Sequence, residues 1–298
     1  TAFGELTLPG TKLFKISTTD EDLSDSFHYE LISGAGNNDN GMFSLSGDSI
    51  VLNSLSNYES DSILNIRLKV TDLGGLSYEQ SFELKVLDQN DTPTQISLSI
   101  DTILENVTIG TKFTKLITAD PDTNELFSYI ITGGDISVFS VVGDSLVIDQ
   151  ALDYESKNQY TLSIDVTDKG GAKFSETVNI YVKDVNETPL SVSISSNMVA
   201  ENSQGSNTFA GQFSTTDIDA NDAHVYSLVP GSGDANNSLF VISNDSLLAL
   251  SSFNFEVTPQ AFVRVRSTDK VGNYIESEFA ISITDENDKP SDLTLSKN

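Results

Sequence analysis

The sequence predicts an all-β fold made of tandem β-sandwiches, and two observations lead to this prediction. Many short segments alternate apolar and polar residues, as in "YTLSIDVTD", where Leu162, Ile164 and Val166 fall on one face of a strand. Between the short apolar runs stand "GD" or "ND" pairs, which are typical of hairpin turns because Gly, Asn and Asp tolerate positive φ. With no helical apolar stripe anywhere in the chain, about seven strands per hundred residues indicate sandwiches.

One set of markers occurs three times in the same order. A Phe opens "FSLSGDSIVLNS", "FSVVGDSLVIDQ" and "FVISNDSLLALS" at positions 43, 139 and 240, spaced by 96 and then 101 residues. An Asp-x-Asp precedes each Phe, and "NYE", "DYE" or "NFE", then "TDLGG", "TDKGG" or "TDKVG", follow it. Each copy closes on "DQNDTP", "DVNETP" or "DENDKP". We therefore predict three domains, 1–93, 94–189 and 190–290, with 291–298 as the start of a following unit.

The composition excludes several classes of function. The 298 residues include 44 acidic and 16 basic side chains, for a net charge of −28. Nucleic acids and anionic membranes both require positive patches, so neither is expected as a partner. There is no Cys, which excludes disulfides and thiolate chemistry, and no apolar run is long enough for membrane insertion.

In this ordered combination the markers resemble those of the cadherin repeat family, over the whole chain. The resemblance implies seven-stranded Greek-key sandwiches in an elongated rod, with Ca²⁺ ions at each junction between repeats, about three per junction. Calcium chemistry agrees with the residues independently, because this ion takes carboxylate, amide and carbonyl oxygens. The Cys-free, acidic repeats are also similar to the extender region of a large bacterial surface adhesin, which implies an extracellular location at the cell surface.

The resemblance assigns ligands to two complete junctions and to one incomplete site. The first junction would take Glu5, Asn57, Glu59, Asp88, Asn90, Asp91, Asp120, Asp122 and Asp168, with the backbone carbonyls of Gln89 and Thr92. The second would take Glu105, Asp153, Glu155, Asp184, Asn186, Glu187, Asp217, Asp219 and Asp269, with the carbonyls of Val185 and Thr188. Glu201, Glu256 and Asp288 would form most of a third site within the last repeat.

Two departures from the family pattern are expected to weaken one ion site in each junction. Asn57 stands where the second repeat has Asp153, so the first junction lacks one charged ligand. Glu187 replaces the usual Asp, and its longer side chain shifts the ligand position. The alternative interpretation of all these Asp and Asn residues is that they cap turns and solvate loops.

Other motifs are interpreted as structural, and we expect no enzymatic activity. "GDSL" at 143–146 matches a lipase nucleophile block, but its sister copies "GDSI" and "NDSL" indicate a turn between strands. A glycosidase cleft is disfavoured because the chain has no Trp. His28 and His224 are predicted to be sheet residues instead of zinc ligands.

Three functions stay open on the sequence alone: a calcium-stiffened spacer, a module that adheres to a like repeat, and a carbohydrate-binding repeat. The spacer needs just the junction ligands, whereas strand-swapped adhesion in this family uses a Trp that the chain lacks. We expect a monomer whose partners are neighbouring repeats of the same chain. A cell-surface protein or polysaccharide is the further candidate partner.

Overall fold

The computed structural model describes residues 1–22, 25–203, 207–220, 222–290 and 292–295, and its regular structure is almost entirely β-strand. Part of the predicted segment 291–298, namely residues 291 and 296–298, lies outside the described residues. Two short 3₁₀ helices, Asn40–Met42 and Asn237–Leu239, each lead into the marker Phe of their repeat. No helix in these described ranges is long and apolar enough to cross a membrane.

The strands follow the three copies of the sequence pattern. The first copy contains β1 Ala2–Gly4, β2 Lys12–Lys15, β3 His28–Leu31, β4 Phe43–Ser46, β5 Ser49–Leu52, β6 Ile63–Thr71 and β7 Ser77–Leu87. The second contains β8 Gln95–Leu98, β9 Thr102–Leu104, β10 Lys112–Ala119, β11 Ser128–Gly134, β12 Phe139–Val142, β13 Ser145–Ile148, β14 Gln159–Thr167 and β15 Lys173–Lys183. The third contains β16 Ser191–Ile194, β17 Met198–Ala200, β18 Thr208–Thr216, β19 Val225–Leu228, β20 Phe240–Ser243, β21 Ser246–Ala249, β22 Gln260–Thr268 and β23 Tyr274–Thr284.

In the described part of the chain, these strands form six sheets, two for each copy. Their orders are β1-β7-β6-β3 with β2-β5-β4, β11-β14-β15-β9 with β12-β13-β10-β8, and β17-β23-β22-β19 with β16-β18-β21-β20. Non-consecutive strands are neighbours in every sheet, as in Greek-key sandwiches. The predicted all-β sandwich class is therefore confirmed.

The last two copies have one described strand more than the predicted seven, because the chain changes sheets near the start of the repeat. Gln95–Leu98 pairs with β10 in one sheet, and three residues later Thr102–Leu104 pairs with β15 in the other. The third copy repeats this arrangement with Ser191–Ile194 and Met198–Ala200. The start of the repeat thus contributes one strand to each of the two sheets.

The chain contains two compact units. The first comprises Thr1–Asp101, Ile109–Gln150 and Tyr160–Ile180, and the second comprises Thr102–Thr108, Ala151–Gln159 and Tyr181–Asn298. The first unit has a core around Phe3, Phe43, Leu52 and Ile66. The second has a core around Phe213, Phe240, Val263 and Ile281. The predicted domain boundaries at 93, 189 and 290 stay predictions.

Local sequence explains the hairpins and one repeated polar contact. The "GD" and "ND" turns begin with positive φ at Gly47, Gly143 and Asn244 (66°, 70° and 56°), as predicted from their composition. A Tyr hydroxyl also lies within hydrogen-bonding distance of a Thr hydroxyl in every copy. These pairs are Thr18–Tyr29, Thr118–Tyr129 and Thr215–Tyr226, at 3.0, 2.8 and 2.9 Å.

The parallel pairs determine where the acidic residues lie. β1, β9 and β17 each run parallel to the last strand of their copy, with Gly4 opposite Leu87, Leu104 opposite Lys183 and Ala200 opposite Thr284. Glu5, Glu105 and Glu201 directly follow β1, β9 and β17, and the residue after each last strand begins the closing acidic motif. Parallel pairing therefore brings two acidic segments, 80 to 85 residues apart in sequence, to the same end of a sheet.

Candidate metal centres

The centre of each acidic cluster is a buried Glu that accepts two backbone hydrogen bonds. Oε2 of Glu5 accepts from the N–H of Tyr58 at 2.6 Å, and Oε1 accepts from the N–H of Gln89 at 2.8 Å. Its relative exposure is 1%. Charge-assisted bonds of this kind fix the carboxylate while leaving further lone pairs available to a cation.

The same geometry occurs in the other two copies. Glu105 accepts from the N–H groups of Tyr154 and Val185 at 2.7 and 2.8 Å. Glu201 accepts from those of Phe255 and Glu286 at 2.7 and 2.9 Å. Each Glu therefore connects the "NYE", "DYE" or "NFE" triplet of its copy to the closing motif of the same copy.

Further carboxylates gather around these Glu residues. Glu5, Glu59 and Asp88 offer ligand atoms within 4.8 Å of one another, and so do Glu105, Glu155 and Asp184. A third such group consists of Glu155, Glu187 and Asp219. Two carboxylates about 5 Å apart repel each other by roughly 3 kcal/mol at an effective dielectric of about 20, so a bound cation would relieve a substantial cost.

The closing motif of one copy contacts the Asp-x-Asp of the next. The N–H of Asp91 donates to Oδ2 of Asp122 at 2.7 Å, and the N–H of Glu187 donates to Oδ2 of Asp219 at 2.8 Å. All residues of the first contact lie in the first compact unit, and all residues of the second lie in the second unit. The structure thus brings together acidic groups from two successive copies, as predicted.

The Asp of the "TDKGG" motif and that of the "TDKVG" motif each anchor the Asn of the preceding closing motif. Oδ1 of Asp168 accepts from the N–H groups of Gly171 and Ala172, and Oδ2 accepts from Nδ2 of Asn90 at 3.0 Å. Asp269 holds Asn186 in the same way at 2.9 Å. Because the amide nitrogen is engaged, the Asn amide oxygen is the atom left over for a metal.

Unpaired buried oxygens test whether these residues fit a cation. In the described residues, five buried side-chain polar atoms have no hydrogen-bond partner: Arg67 Nε, Asp120 Oδ2, Asn186 Oδ1, Glu187 Oε2 and Asp222 Oδ2. Three of these are oxygens of predicted ligands. Unpaired buried oxygens are costly, and hard cations bind this type of oxygen donor. The donor set therefore fits Ca²⁺.

Burial and mutual repulsion raise the pKa of several cluster carboxyls. The pKa of Asp88 and that of Asp91 are raised by desolvation first and then by neighbouring carboxylates, which include Glu5 and Asp122. The pKa of Asp184 is raised by desolvation and by Asp219 and Glu105. The negative charge of these groups is thus disfavoured in the absence of a cation.

The two anchoring Asp residues behave differently. Desolvation raises the pKa of Asp168, but the hydrogen bonds from Asn90 and from backbone N–H groups outweigh it, so the pKa lies below its usual value. The same balance, with Asn186 as the side-chain donor, lowers the pKa of Asp269. These two carboxylates are therefore stabilised as anions without metal.

The first residue of the triplet, Asn57 in "NYE" and Asp153 in "DYE", caps a local turn in addition to its predicted role as a metal ligand. Oδ1 of Asn57 accepts from the N–H of Ser60 at 2.6 Å, and Oδ1 of Asp153 accepts from the N–H of Ser156 at 2.9 Å. Oδ2 of Asp153 is also taken, by the Ser156 hydroxyl at 2.8 Å. Both residues cap a turn, which agrees with the alternative interpretation for this position, and their role as ligands stays a prediction.

The remaining predicted ligands differ in what surrounds them. Gln89 and Val185 approach the buried Glu residues through their N–H groups, while Thr92 and Thr188 are exposed. Their carbonyl oxygens stay predicted ligands. In the last copy Glu256 and Asp288 are exposed, and Asp288 accepts a hydrogen bond from Nδ2 of Asn202 at 2.7 Å.

The Asn that follows the buried Glu was not identified from the sequence. Asn106 donates through Nδ2 to Oε1 of Glu187 at 2.6 Å, as Asn202 does to Asp288. Asn106 and Asn202 both have positive φ, 59° and 54°. The "EN" pair at 105–106 and 201–202 is the signal that could have revealed them.

Another missed position is the acidic residue four places before the Tyr of each copy: Asp25, Glu125 and Asp222. Asp25 groups with Asp20 and Asp72, and Oε2 of Glu125 accepts from the N–H of Lys169 at 3.1 Å. Asp222 groups with Asp217 and His224. The constant spacing to Tyr29, Tyr129 and Tyr226 would have indicated this position.

The prediction for His224 is wrong, whereas His28 does lie on a strand, at the start of β3. His224 precedes β19, and its Nε2 lies 2.9 Å from Oδ2 of Asp217. The segment "AHVYSL" was interpreted as part of a strand, but the strand begins one residue later, and the imidazole instead contacts a cluster carboxylate.

Comparison with known proteins agrees with this architecture. Residues 102–183 match the family model "Cadherin domain". The fold and the site define a class of protein built from tandem β-sandwiches with acidic clusters between successive copies. The resemblance to the cadherin repeat family is therefore confirmed, and the match to its family model covers residues 102–183.

Curated relatives include much longer cadherins. The chain is 28% identical over 181 residues to Cadherin-24 of Mus musculus, which covers 54% of this chain and 23% of that protein. It is 27% identical over 305 residues to the Fat-like cadherin-related tumor suppressor homolog of Drosophila melanogaster, which covers 96% of this chain and 6% of that protein. The chain thus spans less than a quarter of the length of these relatives.

Solved structures show the same fold. Extracellular cadherin domains 3–6 of Protocadherin Gamma B2 match with a TM-score of 0.67 at 21% identity, over 97% of this chain and 72% of that one. Domains EC1–3 of mouse Protocadherin-24 match with a TM-score of 0.61 at 20% identity, over 95% of both chains. At this level of identity the likeness concerns the fold.

Proposed function

We propose that this chain is a calcium-dependent structural module of an extracellular, cell-surface protein. In this proposal, Ca²⁺ binds to the two acidic clusters and stiffens the segments between successive repeats. The observation that supports it most is the set of buried oxygens without hydrogen-bond partners on Asp120, Asn186 and Glu187. Each belongs to a cluster where carboxylates from two copies meet.

The proposed role of calcium follows from charge. The first cluster contains seven carboxylates by our assignment, Glu5, Glu59, Asp88, Asp91, Asp120, Asp122 and Asp168. About three Ca²⁺ ions would nearly neutralise it. Without metal, repulsion among these groups would favour separation of the closing motif from the next Asp-x-Asp, and burial together with neighbouring carboxylates already raises the pKa of Asp91 and of Asp120. Calcium would therefore convert a mobile connection into a fixed one.

The finer proposal is that the module is part of the extender region of a large bacterial surface adhesin. The absence of Cys, the net charge of −28 and the regular repeats are consistent with an extended array that holds a binding domain away from the cell. Its immediate partners would be neighbouring repeats of the same polypeptide. Direct adhesion to a like repeat or to a polysaccharide is the competing role.

Small-angle scattering of the chain with excess Ca²⁺ and then with excess chelator tests the proposal. We expect a maximum dimension that is well defined with calcium and broadens after chelation. A variant with Asp122→Asn and Asp219→Asn should scatter like the chelated protein even with calcium. Identical profiles for the wild-type protein in both buffers would contradict the stiffening role and direct attention to the sandwich faces as binding surfaces.

A further inference from the structure

A cluster of two Asp residues and one His lies beside the second junction. Asp217, Asp222 and His224, here called the His224 cluster, offer ligand atoms within 4.8 Å of one another. All three side chains are nearly inaccessible, with relative exposures of 4% for Asp217, 0% for Asp222 and 9% for His224. They occupy one short loop between β18 and β19, inside the second compact unit.

One oxygen of this cluster has no partner. Oδ1 of Asp222 accepts from the N–H of Ala223 at 2.9 Å and lies 3.4 Å from Nζ of Lys270. Oδ2 of the same carboxylate is buried and has no hydrogen-bond partner. A buried carboxylate oxygen without a donor is unfavourable, so this atom is available to a cation.

The nitrogen donor distinguishes this cluster from the rest of the acidic junction. Ca²⁺ takes oxygen ligands, whereas imidazole nitrogen is a ligand of Zn²⁺ and similar divalent transition metals. Two carboxylates and one imidazole make three protein ligands, which is the number that an open zinc site uses together with water. We infer that Asp217, Asp222 and His224 form a binding site for a divalent transition metal of the zinc type.

The observed distances suit such an ion. Nε2 of His224 lies 2.9 Å from Oδ2 of Asp217. Two ligands of a tetrahedral zinc ion are roughly 3.3 Å apart, given metal–ligand distances of about 2.0–2.1 Å. Replacing the hydrogen bond by a metal therefore requires these two atoms to separate by less than about 1 Å. A recess lined in part by Asp222, His224 and Tyr226 adjoins the cluster.

The site belongs to the third repeat. Phe27 and Phe127 stand two residues before Tyr29 and Tyr129, where the third repeat has His224 before Tyr226. The Thr–Tyr hydrogen bond aligns these positions in all three copies. His224→Phe is therefore a matched variant, because it restores the residue that the same fold already accommodates twice.

The test is a titration of the chain with Zn²⁺. Calorimetry measures the affinity, and NMR measures the response of the two His side chains. We expect one Zn²⁺ site that is weakened at least tenfold in His224→Phe, together with zinc-dependent shifts of the His224 resonances. His28, whose side chain is 76% exposed, is an internal reference that should shift little. Equal zinc affinity of the wild-type protein and the variant, or unshifted His224 resonances, would overturn the inference.

Calcium titrations on the same samples separate this inference from the proposed function, because Asp217 is also a predicted calcium ligand. His224→Phe should keep calcium binding, since Phe occupies this position in the other repeats. Absence of calcium binding in the wild-type protein would contradict the proposed function, but it would not affect the conclusion from the zinc titration. If thermal melting shows that His224→Phe is unfolded, His224→Gln replaces it, with the same loss of zinc affinity expected.

Discussion

The backbone N–H of Asp91 lies 2.7 Å from Oδ2 of Asp122, so the closing motif of one repeat is hydrogen-bonded to the opening Asp-x-Asp of the next. The second and third repeats make the same contact between Glu187 and Asp219 at 2.8 Å. A single backbone N–H compensates little of the negative charge that the carboxylates of these two segments carry. The contact therefore identifies where a multivalent cation would act, and the predictions below follow from it.

Replacing Glu5 by Gln should destabilise the protein and weaken calcium binding. Both Glu5 oxygens accept backbone hydrogen bonds, whereas a Gln amide offers one oxygen and places an NH₂ group against an N–H donor. We expect a loss of about 1–3 kcal/mol in the free energy of unfolding, measured by denaturant titration. Glu83→Gln, at an exposed position of β7, is the control and should change little. Equal stability of both variants would contradict the central role of Glu5.

Replacing Asp120 by Asn should have opposite effects with and without calcium. The pKa of Asp120 is raised, by desolvation first and also by the carboxylates of Asp122 and Asp168, so removing its charge relieves repulsion in the metal-free protein. With calcium the same change removes a charged ligand. We expect the melting temperature to rise in chelator and to fall in calcium.

The control for Asp120→Asn is Asp144→Asn. Lys115 lowers the pKa of Asp144 through a hydrogen bond at a distance of 2.8 Å, away from the acidic clusters. This variant should show the same small loss in both buffers. A change of equal sign for Asp120→Asn in both buffers would indicate that Asp120 does not bind the metal.

Calcium should reverse the contribution of the cluster carboxyls to the pH dependence of stability. The folded-state pKa values of Asp88, Asp91 and Asp184 are raised, so at these three groups the folded metal-free protein binds more protons than the unfolded chain. Their contribution is present below the unfolded pKa, near 4, and is lost as pH rises through the folded values. With calcium, deprotonated ligands are required, and stability should instead increase with pH. Melting curves between pH 4 and 8 check this, and parallel curves in both buffers would contradict it.

Asn57→Asp should strengthen calcium binding at the first cluster. An added carboxylate that acts as a ligand is expected to raise affinity by up to about tenfold, or about 1.4 kcal/mol. Asp is also a good turn cap, so stability in chelator should stay the same. Calorimetric titration measures the affinity. Unchanged affinity would show that Asn57 and Asp153 serve as turn caps alone, as their bonds to Ser60 and Ser156 allow.

The sequence predicts those structural features whose physical cause is local or is repeated along the chain. Alternation and turn residues predict the sandwich class, and the ordered acidic markers predict Glu5, Asp91, Asp122 and their equivalents. Strand register is different, since it depends on pairing between distant segments. The two strands at the start of the second repeat, Gln95–Leu98 in one sheet and Thr102–Leu104 in the other, are one such case.

Specific side-chain contacts are the other feature that could not be predicted from the sequence. Asn106 holds Glu187 across 81 residues, and His224 meets Asp217 where "AHVYSL" indicated a strand. The acidic position shared by Asp25, Glu125 and Asp222 has a constant spacing, yet each residue alone resembles an ordinary loop residue. These roles became visible when the folded chain placed the residues together.

The number of calcium ions bound by the chain tests the central claim most directly. Equilibrium dialysis against buffered Ca²⁺, with and without Glu5→Gln and Glu105→Gln combined, would measure it. We predict saturable binding of about three ions per acidic cluster, at affinities on the order of 10⁻⁴–10⁻³ M, with fewer ions bound by the double variant. Non-saturable binding that is the same in both proteins would contradict the assignment of these clusters as calcium centres.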